Sequence, residues 1–154
     1  MTVRVNKDAF NIREKLSELD YRDIKPTVFA YARKSSGDTL VTSAIALSFP
    51  TTIIDTHSGF SNDGRRYTVP VAGNYMVMFN INALSNSNVT TVRIEKNGVA
   101  ESNLYVGNTN HPRMMFNLTA IVPANTGDYF EIKGYVNTGS LALDNAGNVQ
   151  YYLL

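Results

Sequence analysis

The chain has no cysteine and no tryptophan in its 154 residues. Without cysteine there is no disulfide framework, no thiolate nucleophile and no thiolate metal ligand. Charge is scarce too. Acidic and basic residues make up 18% of the chain and the formal net charge is +1. That balance supplies no field for nucleic acid or for an anionic membrane. No stretch approaches the roughly 20 apolar residues that a membrane-spanning helix needs. Residues 1–10 lack the apolar run of a secretory signal. The expectation is a protein made and used in a cytoplasm, or released from one by lysis.

Catalytic signatures are absent as well. There is no HExxH, no phosphate-binding loop and no dinucleotide fingerprint. The two histidines are His57 and His111. Asp55, His57 and Ser58 are close in sequence, but neighbours along a strand point to opposite faces, which is not the geometry of a triad. The sequence therefore reads as a non-enzyme with no catalytic residues and no cofactor.

What is present is enough for a packed domain. Hydrophobic residues make up 44% of the chain, which places it with globular proteins. Its length fits one domain with a short appendage and a core that needs no covalent staples.

Residues 1–26 form that appendage and differ from the rest. Asn11 with Glu14 three residues on is a capping box. Ile12, Leu16 and Leu19 fall at i, i+4 and i+7, one face of a helix. Pro26 ends it. A helix of about ten residues does not hold its shape alone in water, so this arm must dock. The surface it docks on is its own domain, another protein, or sister copies.

Residues 27–154 have the texture of an all-β domain. Short extended runs alternate with turn chemistry at residues 35–38, Asn62-Asp63-Gly64, residues 85–88, Asn97-Gly98, residues 107–112, residues 123–128 and Ala146-Gly147-Asn148. Asn97-Gly98 is the strongest hairpin signal. Regular short spacing of this kind indicates a sandwich or barrel. In residues 114–122, Met114, Phe116, Leu118 and Ala120 share one face.

The domain is organised around residues 65–82. Residues 67–71 read as an extended segment whose Pro70 suits a sheet edge. Gly73 permits a corner. Beyond it Tyr75, Val77, Phe79 and Ile81 alternate with Met76, Met78, Asn80 and Asn82, the period of a strand between two environments. The first set is expected to fill a core. The second is expected to meet something apolar near one end and wetter near the other, either a subunit contact or a second layer of the same domain.

This stretch also carries a resemblance. Tyr67-Thr68-Val69-Pro70-Val71-Ala72-Gly73-Asn74-Tyr75 resembles the G-x-F-T-x-P-x-x-G-x-Y signature of complement-q/TNF-like jelly rolls. Tyr67 stands at the Phe position, and Arg65-Arg66 separates it from Gly64. Val92-Arg93-Ile94-Glu95-Lys96-Asn97-Gly98 resembles that family's V-x-L-x-K-N-G hairpin. Asn125-Thr126-Gly127-Asp128-Tyr129-Phe130 resembles its K-x-G-D-x-V turn. Residues 149–154 match its terminal strand without the usual glycine. The resemblance spans residues 27–154. It implies an all-β, ten-stranded antiparallel jelly-roll sandwich behind a helical or extended arm, and a tight homotrimer. Tyr31, Met76, Met78 and Tyr152 are the residues expected at the trimer contact. Some members of the family bind calcium, and Asp55 with Asn62-Asp63-Gly64 would be the place. Low charge and the lack of alternating carboxylates favour a plain turn there, so no metal is expected. Arg65-Arg66 is expected to form a rim ion pair. Asn88 and Asn117 head glycosylation sequons.

The arm carries a second resemblance. Arg4-Val5-Asn6-Lys7 followed by Asn11-Ile12-Arg13-Glu14-Lys15-Leu16-Ser17-Glu18-Leu19-Asp20 is similar to the leader that opens small virion proteins of tailed phages, notably those of marine and cyanobacterial hosts. It implies a structural virion protein, held to capsid or tail proteins through Ile12, Leu16 and Leu19 and decorating or cementing a capsid or head fibre. The alternative is a receptor-binding tail module that recognises a host surface glycan or protein. Residues 85–88 and 107–112 hold no aromatic side chain of the kind recognition loops favour, which tilts the reading toward decoration.

Overall fold

The structure is a computed structural model, and it describes residues 27–84, 89–106 and 114–154. The described part contains β1 (Phe29–Arg33), β2 (Thr39–Leu40), β3 (Ile45–Ala46), β4 (Thr51–Asp55), β5 (Arg66–Thr68), β6 (Gly73–Ala83), β7 (Thr90–Lys96), β8 (Val99–Val106), β9 (Met114–Ala124), β10 (Tyr129–Val136) and β11 (Leu141–Leu153). One sheet runs β4-β1-β11-β6-β9, with β2 attached to β11. The other runs β3-β10-β7-β8, with β5 attached to β10. Every pairing is antiparallel. The strand segments number eleven among the described residues, where ten were expected; β2 and β3 are two residues each. The predicted arm, residues 1–26, lies outside the described residues.

The core sits between the sheets. Tyr75, Val77, Phe79 and Ile81 of β6 are all buried, as their alternation predicts. Phe116 and Val122 of β9, Phe130 and Ile132 of β10, and Val149 and Tyr151 of β11 meet them. Tyr67 and Tyr151 stack at 4.4 Å and 8°. Phe130 continues the stack at 5.8 Å, and Phe60 closes it edge-on at 5.3 Å from Tyr67. The Tyr67 hydroxyl is buried with no protein partner, and desolvation pushes its pKa up. Tyr75 keeps a partner, donating to the Val71 carbonyl at 2.7 Å. That bond pins the corner which the Pro70–Gly73 spacing predicts.

Two local expectations are corrected. Gly73 is the first residue of β6 rather than the corner itself. A Cβ there would come within 2.4 Å of Leu153 Cδ1, so a side chain at this position would need Leu153 to turn aside. Ala146-Gly147-Asn148 is not a turn. Residues 141–153 are one strand. Leu143 pairs with Ala83 and Gly147 with Ile81, so β11 bulges by the two extra residues it holds between those pairs. Turn chemistry and bulge chemistry look alike in a sequence, because both call for small and polar residues.

Two motifs lock together at one end of the sandwich. Asn97 has φ 52° and Gly98 φ 81°, the left-handed pair that a tight hairpin requires. The Asn97 amide donates to Asp128 Oδ1 at 2.8 Å and its oxygen accepts from the Tyr129 N–H at 3.0 Å. Asp128 Oδ2 accepts from the Asn125 N–H at 2.8 Å. These bonds, the backbone one first, hold the Asp128 carboxyl below its usual range. Both chain ends of the domain lie at this end as well. Leu153 donates to the Val28 carbonyl and Leu154 to that of Asn74. At the other end Ala83 pairs with Met114.

Candidate functional site

The candidate site is the outer face of the β4-β1-β11-β6-β9 sheet. Register fixes which side chains share it, since alternate residues point the same way. One row across the strands is Phe29, Tyr152, Met76 and Ile121. The next is Ile54, Tyr31, Gln150, Met78 and Thr119. The third is Arg33, Asn148, Asn80 and Asn117. Asn82 and Met115 follow. The first row lies nearest the chain ends. Phe29 and Tyr152 meet edge to face at 6.2 Å. Ile121 is 63% exposed, Met115 58%, Ile54 44% and Tyr152 39%. The face thus runs from apolar to amide-rich, as β6 alone predicts.

Across these rows there is one charged residue, Arg33. Its Nε donates to the Tyr31 hydroxyl at 2.9 Å. The outer face of the other sheet is the opposite case. Glu131 pairs directly with Glu95, and Lys133 with Arg93. Like charges opposite one another repel, and here the contacts between rows offset it. Lys133 Nζ lies 2.8 Å from Glu95 and 3.3 Å from Glu131. Arg93 Nε donates to Glu95 at 2.7 Å. Arg66 donates to Glu131 at 3.0 Å and lies over the Tyr129 ring at 3.9 Å. Glu95 is 1% exposed beneath this cover. Hydrogen bonding to Glu95, with Glu131 adding, raises the Lys133 pKa.

Tyr31, Met76, Met78 and Tyr152 therefore share one face, as the sequence places them. Phe29, Ile54, Met115 and Ile121 join them and were missed. The signal for the last two was present, because Met115, Asn117, Thr119 and Ile121 alternate against the apolar set of β9. Ile12, Leu16, Leu19, His111 and Asn88 lie outside the described residues. Asn117 is exposed on the candidate face.

The remaining polar groups are occupied by structure. Asp55 accepts from the N–H groups of His57 and Phe60, at 3.3 and 2.9 Å. Asp63 accepts from the Ser61 hydroxyl at 2.7 Å and the Arg65 N–H at 3.1 Å. Those bonds, the hydroxyl first, hold its carboxyl below the usual range. Among the described residues no three His, Cys, Asp or Glu side chains gather as a metal site would. Arg66 forms the ion pair expected of the Arg65-Arg66 dipeptide. Arg65 reaches Asp38 at 3.4 Å and the Ala46 carbonyl. Asp38 also holds Lys34, whose side chain is fully buried.

No protein-family model and no curated protein sequence matches the chain. Solved structures do. The globular domain of zebrafish complement 1qA superposes with a TM-score of 0.67 at 12% identity, over 82% of this chain and 97% of that one. Murine APRIL gives 0.67 at 9%, over 83% and 99%. Eiger TNF from S. frugiperda gives 0.62 at 12%, over 84% and 94%. The fold is the complement 1q/TNF-like jelly roll. At these identities the jelly roll is what is shared, and none of the three is an enzyme by its description.

Proposed function

We propose that this chain is a non-enzymatic structural protein of a phage virion. It forms a homotrimer through the outer face of the β4-β1-β11-β6-β9 sheet and decorates or cements a capsid or head fibre through residues 1–26. The observation that carries the assembly is the contrast between the two outer faces. One is a neutralised charge network, suited to water. The other has one charged side chain, Arg33, across the rows described and exposes Ile54, Met115, Ile121 and Tyr152. Depletion of charge with enrichment of Met and aromatic side chains marks the centre of a subunit contact. Burying such side chains contributes about 1.5–3 kcal/mol each. The leader resemblance supports the virion setting.

Sedimentation equilibrium on the purified chain tests the assembly. The expected mass is three times the 17.0 kDa of one chain. A well-behaved monomer at micromolar concentration overturns it. Imaging virions with an antibody to this chain tests the setting. Label on the capsid supports decoration, and label at the tail tip favours receptor binding instead.

A further inference from the structure

We infer that Asn80, Asn117 and Asn148 fix how copies of this chain meet, by hydrogen bonding to amides of a second copy. This rests on the assembly reading above and names the side chains that give that contact its register. The three amides lie on adjacent strands in one row, Asn148 opposite Asn80 and Asn80 opposite Asn117. At strand spacing the row spans about 10 Å. Gln150 and Asn82 flank it.

Each amide offers two donor hydrogens and an acceptor oxygen. Little of that capacity is used within one copy. The Asn80 amide nitrogen reaches only the Met115 sulfur, at 3.7 Å. The side chains of Asn117, Asn148 and Gln150 have no protein partner among the described residues. The single charge at the edge of the row, Arg33, is turned to Tyr31.

The apolar row of Phe29, Tyr152, Met76 and Ile121 gives attraction without direction. Methionine adapts to many neighbours, so that row alone tolerates slipped or inverted contacts. The amide row does not. Buried against Met or Ile its groups are left unpaired, and of the contacts that bring amide to amide only parallel ones also bring apolar row to apolar row. Parallel copies also deliver every Thr27 to the same end.

The test substitutes Asn80→Asp in the full chain and follows mass by sedimentation at pH 7 and pH 4, with circular dichroism confirming the fold. Carboxylates brought together from different copies repel, and protonation restores a neutral donor and acceptor. The expected result is loss of the trimer at pH 7 and its return at pH 4. Asn62→Asp, on a remote loop, leaves the trimer intact at both. A wild-type monomer overturns the assembly reading and this inference with it. A trimeric wild type with an Asn80→Asp variant that stays trimeric at pH 7, or that dissociates equally at both pH values, overturns the amide role and leaves the assembly reading standing.

Discussion

Tyr67 shows what a single residue reveals and conceals. The sequence placed it in an extended segment ahead of Pro70 without saying which way it faces, and it is fully buried. The sequence did not show that its hydroxyl would be without a protein partner. That depends on where Phe60, Tyr151 and Gly59 bring their atoms, and these come from two distant parts of the chain. A buried hydroxyl with no partner costs about 1–3 kcal/mol. The ring itself is well used, stacked on Tyr151 and met edge-on by Phe60. Tyr67→Phe keeps the ring and removes the cost, so it is expected to raise the melting temperature by a few degrees, given that 1 kcal/mol shifts a domain of this size by about 2–4 °C. Calorimetry of the two proteins checks it. A lower melting temperature would mean that the hydroxyl is satisfied after all.

At the scale of elements, alternation was the most legible signal. β6 and the inner face of β9 follow it residue by residue, because each separates a dry core from a second environment. Pairings were less legible. That β11 lies between β1 and β6 joins residues 60 or more positions apart, and no local pattern records it. The bulge in β11 was hidden for the same reason, since it is a bulge only relative to β6. Its glycine lies close against the β6 backbone. A Cβ on Gly147 would lie 2.7 Å from the Asn80 carbonyl oxygen and 3.6 Å from Lys34 Cβ. Backbone on one side and a buried lysine on the other leave little room to adjust. Gly147→Ala is expected to destabilise the fold by about 1–3 kcal/mol, the usual cost of overpacking. Urea denaturation would read this as a lower midpoint at unchanged slope. An unchanged midpoint would show that β6 and β11 can part there without loss.

For the whole molecule, the placement of chain ends and charge bears on assembly. The charge network covers one sheet and the apolar-to-amide gradient the other, so one face suits water and the other is the proposed subunit contact. Residue 27 enters beside the apolar row, where Thr56 Oγ1 donates to the Thr27 carbonyl at 3.2 Å. Residues 1–26 precede that point in the chain, and the apolar stripe the sequence predicts for Ile12, Leu16 and Leu19 would need a surface. If that surface belongs to another virion protein, residues 27–154 alone should fold and trimerise, because the core and the proposed contact lie within them, yet fail to bind particles. Leu16→Asp in the full chain should fail likewise, since a charge placed on a docking face is costly unless paired. Co-sedimentation with particles lacking the wild-type protein measures both. If the truncated domain binds as well as the full chain, the jelly roll itself makes the attachment. If it folds but does not trimerise, the arm is part of the subunit contact, and its stripe packs against sister copies.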